Sequence, residues 1–223
     1  MIKRLLLPLL ILSSSLADAA ELTAMETRWL TAGLSVITYA KQELKLPVDI
    51  TVQPQARATD VPVALGYEQG RCKLVLSLRG NPGAEDILAG VPAPQRALMI
   101  EAMFAHEIAH CWRYAQGEWH AAPSGFEQRA DASAVASLRE TRREEGFADL
   151  VALAWTQQQH PEHYADVAAW MRAVREPASA NAASSHGTAR WLQLAQTGAA
   201  FNSRLPLLEQ AGSLWRQGLA RGE

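Results

Sequence analysis

His106-Glu107-Ile108-Ala109-His110 lies near the end of an apolar run that starts around Ala97, and the rest of the chain is read outward from it. On a helix, residues four apart sit one turn above each other, so both imidazoles project the same way and can grip one metal ion, with Glu107 beside it. Stepping round the wheel at about 100° per residue, Ile100, Phe104, Ile108, Cys111 and Trp112 gather on the opposite side. The segment thus has an apolar back and a metal-capable front. This is the H-E-x-x-H pattern, in which two histidines ligate zinc and the glutamate serves as general base. The competing reading is a core helix whose two histidines are satisfied internally.

Upstream, Leu22, Met25, Trp29, Val36, Ile37, Tyr39 and Leu44 recur at helical spacing from Glu21 to about Leu46, until Pro47 ends the run. Val48 to Val52 is short and β-branched, hence a strand. Val61 to Tyr67 and Cys72 to Leu78, parted around Gln69-Gly70, predict a hairpin in a small antiparallel or mixed sheet. Cys72 alternates in phase with Leu74, Leu76 and Leu78 toward a core, with Lys73, Val75, Ser77 and Arg79 on the other face. Cys72 to Arg79 is the strand expected to offer a free edge to an extended peptide. Asn81-Pro82-Gly83 is a turn, Gly90 to Pro94 a loop that leads into the metal helix, and Gly117 stops that helix. From Phe126 onward the pattern is helical, with breaks expected near Thr141, Pro161, Pro177 to Gly187 and Asn202.

The start of the chain bears on compartment. Lys3 and Arg4, the apolar Leu5 to Leu12, then Ala17-Asp18-Ala19 read as a secretory signal peptide over 1–19, cleaved before Ala20. That apolar core is too short to span a bilayer stably, which leaves an exported protein, periplasmic or secreted, with no stable membrane insertion after cleavage. Lysine and arginine number 21 against 23 acidic residues, a net charge of -2 with no basic stripe, so nucleic acid is excluded as a partner. Two cysteines entering an oxidising compartment bring a disulfide into view. Cys72 faces the core and Cys111 lies on the back of the metal helix. They form a bridge if that strand packs on that helix, and are two buried thiols if it does not.

Catalytic zinc of this type needs three protein ligands and an open position. A metzincin would have Gly at position 113 and His at position 116; Arg113 and Gln116 exclude that arrangement. A later helix instead carries Glu145-Gly146-Phe147-Ala148-Asp149, in which Glu145 and Asp149 share a face. One carboxylate can reach the metal while the other holds the far nitrogen of a ligating imidazole. Glu144 is a one-residue-shifted rival, and Glu118 or His120 can supply a ligand from the loop after the metal helix.

With its H-E-x-x-H followed by E-x-x-x-D on a second helix, the chain resembles the gluzincin clan of zinc metallopeptidases, as in thermolysin and the CAAX prenyl-protease type. The resemblance covers the two motifs, their order and the strands before the first. It implies His106, His110 and Glu145 as zinc ligands, Glu107 as general base and Asp149 as partner of a ligating histidine. An oxyanion donor is still required. His186 is the first choice, since Ser185-His186-Gly187 follows the Pro/Ala/Ser-rich stretch and can fold back over the cleft. The prenyl-protease type has a similar histidine, usually before proline, whereas Gly187 follows here. Tyr164, His163 and Tyr114 are alternatives, and Trp119 is the tryptophan expected to wall a substrate cleft.

The sequence therefore predicts an α+β, zincin-like fold: an N-terminal helix and small sheet packed on the metal helix, then a mainly helical C-terminal half. A domain over 20–176, a linker or loop over 177–187 and a helical segment over 188–223 follow the signal peptide. The expected activity is hydrolysis of a peptide or protein substrate. A non-catalytic zinc-binding or interaction protein of gluzincin-like fold is the alternative; it needs the ligands but not Glu107.

Overall fold

A computed structural model describes residues 21–57, 60–126, 134–179, 181 and 184–221. The expected signal peptide lies outside them. The described residues form a mixed α+β fold of seven α-helices and one three-stranded sheet. No helix among them is long and apolar enough to cross a membrane.

The chain opens with α1 (Ala24–Ala32) and α2 (Leu34–Gln42), where the apolar spacing predicts one helix. Thr23 starts α1 through a capping box: its hydroxyl accepts from the Glu26 N–H, and Glu26 accepts from the Thr23 N–H at 2.7 Å. The division falls at Gly33. A Cβ there would stand 2.2 Å from the Phe104 ring, so the bare backbone is what lets the helix that carries Phe104 approach. Trp29, Val36, Ile37 and Ala40 form the buried stripe.

The sheet contains β1 (Val48–Pro54), β2 (Val63–Glu68) and β3 (Arg71–Arg79) in the order β1-β3-β2, with β1 parallel and β2 antiparallel to β3. The hairpin turn is the expected Gln69-Gly70, both at positive φ (53° and 76°), the backbone a tight two-residue turn requires. Cys72, Leu74, Leu76 and Leu78 are buried in alternation, as predicted. The expected edge, however, is in the wrong place. β3 is the central strand, its backbone groups spent on both neighbours, and the open edges belong to β1 and β2. Adjacent strands in sequence need not be sheet edges, because β1 returns to pair with β3 from outside the hairpin.

α3 (Arg96–Ala115) follows the Pro92-to-Gln95 turn and ends at Gly117, whose φ of 69° suits glycine. Its apolar back, with Ile100, Phe104, Ile108 and Cys111 at 0–2% exposure, packs on α1, α2 and the sheet. Cys72 and Cys111 are disulfide-bonded, with Cα atoms 5.7 Å apart. The bridge rivets the central strand to α3.

α4 (Ala134–Gln159) runs unbroken through Thr141, against the sequence expectation. The Thr141 hydroxyl donates back to the Ser137 carbonyl at 3.0 Å, satisfying itself within the helix. His160-Pro161 is the boundary foreseen, leading to α5 (Tyr164–Ser179). α5 continues past Pro177, which sits in its last turn, where the missing N–H costs one terminal bond and does not stop the helix. The linker expected to begin at Pro177 therefore begins later. Nor is it a free spacer where described: Ser184 O accepts from Arg142 of α4 at 2.8 Å. α6 (Ala189–Leu194) and α7 (Leu207–Ala220) pack on α4 through Trp191, Leu192, Leu208 and Trp215 and join one continuous core.

The disulfide closes a loop of sequence separation 39, for which chain entropy gives a contribution of about 4 kcal/mol. Cys72→Ala combined with Cys111→Ala is expected to lower the unfolding free energy by about 2–4 kcal/mol, read as an earlier denaturant midpoint. An unchanged midpoint would show that the bridge does not constrain the unfolded chain.

Candidate metal centre

The site lies where α3 and α4 pack. Both helices present residues four apart, His106 and His110 on one and Glu145 and Asp149 on the other, so each delivers a matched pair to the shared face. His106, His110 and Glu145 are buried, and their side-chain donor atoms lie close enough together to hold one metal ion, a candidate ligand cluster. The Nε2 atoms of the two histidines are 3.0 Å apart, and each lies 3.4 Å from a Glu145 oxygen. A tetrahedral ion with bonds of about 2.0–2.1 Å needs ligand atoms about 3.3 Å apart. The spacing fits a divalent ion without rearrangement.

The donor chemistry fits as well. Two imidazole nitrogens facing each other cannot both stay as lone pairs without a cation or a proton between them. Burial works against a charged His106, but the hydrogen bonds to Asp149 and Glu145 and their charges outweigh it and push the pKa up to about 10. Burial likewise opposes ionised Glu145, yet its two histidine partners hold it well below the usual carboxylate range. This pocket is built to enclose positive charge.

Asp149 orients His106. It has no exposed surface and accepts from His106 Nδ1 at 2.9 Å, from Arg175 Nη2 at 2.8 Å and from the Thr188 hydroxyl at 2.6 Å. Burial alone would raise its pKa, but Arg175 and His106 keep it ionised. The imidazole is thereby fixed with its proton on Nδ1 and its Nε2 turned to the ligand cluster. His110 is held differently: its Nδ1 is buried and makes no hydrogen bond among the described residues. Its ring is placed by packing, edge-on to Trp119 with centroids 5.4 Å apart.

Glu107 lines a cavity together with His106, Asp149, Arg175 and His186. Burial raises its pKa, the direction that makes a carboxylate a better proton acceptor. His186 reaches the same place, its Nε2 3.4 Å from Glu145 Oε2, while half of its side chain remains exposed. Burial lowers its pKa.

The rival residues are employed elsewhere. Glu144 is buried and takes both Arg113 Nε and Nη2 at 3.0 Å, with the His120 N–H at 2.9 Å. Arg113 also binds Glu118 at 2.7 Å, so Glu118 is not a ligand. The His120 ring stacks on Trp119. Tyr164 donates to the Ala195 carbonyl at 2.7 Å in the core, His163 lies beside Glu162 and Asp166, and Tyr114 stacks between Tyr67 and Trp119. Among the described residues none of these three makes a hydrogen bond or ion pair with the cluster. Sequence reasoning missed Arg175 and Thr188. Arg175 lies on α5 with no motif around it, and Thr188 was visible only as a residue before a short helix.

No protein-family model, curated protein or solved structure matches this chain. The geometry therefore stands on its own.

Two measurements test it. Asp149→Asn is expected to weaken divalent-metal affinity about 10–100-fold, measured by competition with a chromogenic chelator. Because His106 is protonated at neutral pH without an ion and only neutral imidazole ligates, metal uptake at pH 8 should release about one proton. Titration calorimetry in buffers of different ionisation enthalpy reads that proton directly; zero release would contradict the electrostatics described.

Proposed function

We propose that this protein is an exported zinc-dependent peptidase of the gluzincin kind, built on a zincin-like fold. The observation that carries the proposal is the convergence of His106 and His110 from α3 with Glu145 from α4, at separations of 3.0–3.4 Å, with Glu107 at the adjoining cavity. Two histidines and one glutamate are a ligand set of zinc hydrolases. The cleavable N-terminal pattern and the Cys72–Cys111 bridge support an oxidising compartment.

Zinc held by these three side chains would supply a Lewis acid that polarises a peptide carbonyl and acidifies a water. Glu107, at the adjoining cavity, would be the group that takes a proton from the attacking water and gives it to the departing amine, a two-way task suited to a carboxyl whose pKa burial has raised. His186 Nε2 lies 3.4 Å from Glu145 Oε2 and would be the side chain placed to donate to a substrate oxygen that gains negative charge. Asp149 and Arg175 keep the His106 ring from turning. A peptide strand has an open edge to pair with in β2, since Pro62 and Val63 at its start border the cavity. The role expected of Cys72–Arg79 thus passes to its neighbour.

Glu107→Gln is expected to retain one equivalent of zinc while losing at least about a hundredfold in peptide hydrolysis, and His106→Ala or Glu145→Ala to lose both. Elemental analysis paired with cleavage of a peptide library checks this. Stoichiometric zinc with no cleavage by the wild type would replace the proposal with the non-catalytic reading.

A further inference from the structure

A second pocket opens at the other end of α4, between that helix end, α2 and the turn that leads into α7. Its wall includes Gln157, which follows Glu145 by twelve positions and so stands about 18 Å along the helix from the candidate ligand cluster. With a volume of about 570 Å³ it falls within the range of about 300–1,000 Å³ that encloses a whole small molecule. None of its lining residues carries a charge. Its polar groups are unspent: Tyr39 on α2, Gln157 and Gln158 on α4 and Ser203 before α7 make no side-chain hydrogen bond among the described residues. Phe201, Leu205, Pro206 and Leu207 supply an apolar side.

The walls are held in place by contacts of their own. The Tyr39 ring stands edge-on to Trp155 with centroids 5.3 Å apart, and Phe201 stands edge-on to Tyr164 at 6.3 Å. Gln210 Nε2 donates to the Leu205 carbonyl at 2.8 Å and the Leu205 N–H to the Asn202 carbonyl at 2.9 Å, which sets the turn. The Gln157 amide lies against bare backbone, since a Cβ on Gly198 would stand 1.5 Å from its Oε1. A site fixed in this way loses little freedom when it binds. Burial raises the Tyr39 pKa, which keeps the hydroxyl a donor at neutral pH.

The lining defines its occupant by exclusion. A charged ligand would leave water for walls that offer no counter-charge. A hydrocarbon would leave the amides and hydroxyls without partners. A peptide is recognised through its backbone at an open strand edge, and no strand lines this pocket. Amides and hydroxyls both donate and accept, and a ligand that answers them with hydroxyls while turning C–H faces to Phe201 and its apolar neighbours is a sugar. We propose that this pocket binds a neutral saccharide, in a site whose existence does not depend on the peptidase reading.

Saturation-transfer NMR on the whole folded protein tests this with a neutral panel of methyl glucoside, methyl galactoside, N-acetylglucosamine and maltose. Members of that panel are expected to bind at millimolar concentration, while glucuronate, glucosamine and N-acetyl-alaninamide give no signal. Ala199→Trp, at an exposed position on the pocket wall, should abolish the binding, and Ser203→Trp should do so from the turn before α7. Tyr39→Phe keeps the ring against Trp155 and removes only the hydroxyl; it should weaken binding about three- to tenfold. Neutral-only binding that disappears in the tryptophan variants supports the proposal, whether or not the protein holds zinc or cuts any peptide. Silence of the whole neutral panel, equal signals from charged and neutral sugars, a preference for N-acetyl-alaninamide, or binding unchanged in the tryptophan variants each overturns it.

Discussion

At the crossing of α3 and α4, a carboxylate with no exposed surface is shared by three side chains from three other segments: Asp149 accepts from His106, Arg175 and Thr188. An unpaired buried charge costs several kcal/mol, so α4 can be buried at this position only when all three partners are in place. That requirement sets α3, α5 and the start of α6 around α4. It also means that the groups orienting His106 are the ones that hold the C-terminal half together, and that the geometry of the candidate site and the packing of the helices are one problem with one solution.

Neighbouring positions on α4 divide the remaining work by direction. Glu144 and Glu145 are adjacent in sequence, yet about 100° apart round the helix. Glu144 turns to Arg113 and ties the end of α3 to α4, with the guanidinium also lying 4.7 Å from the Trp215 ring. Glu145 turns to the two histidines. Between this pair and Asp149 stands Gly146, where a Cβ would come within 2.4 Å of the Trp191 indole. Glycine there lets α6 sit directly against α4, behind the ligand cluster. The same logic holds at Gly33, where the Phe104 ring takes the place a side chain would need.

The sheet serves the site from the other side of α3. Its central strand is bolted to the helix through Cys72 and Cys111, which leaves β2 with an open edge near the mouth of the cavity. An aromatic row of Tyr67, Tyr114 and Trp119, with centroid spacings of 5.0 and 4.0 Å, joins the far end of β2 to the end of α3. Trp119 closes that row edge-on against His110, so the tryptophan expected to wall a cleft does not line the cavity beside Glu107 and instead packs on a residue of the candidate ligand cluster.

Local pattern was enough for most of what depends on spacing within one element, though not for the division of the first helix at Gly33 or the unbroken run of α4 through Thr141. The pairing of His106 with His110, the pairing of Glu145 with Asp149, the apolar back of α3, the alternation around Cys72 and the Gln69-Gly70 turn all follow from helical or strand periodicity, which is written in neighbouring residues. What periodicity does not carry is which elements meet. It could not show that β1 comes back to β3 and leaves β2 as the edge, that Arg175 and Thr188 close round Asp149, that Glu144 belongs to Arg113, or that α5 lines the cavity with Trp170, Met171 and Val174. Those are matters of partner choice between segments tens of residues apart, decided by burial of charge and by the space glycines leave open. Both exist only once the chain has folded.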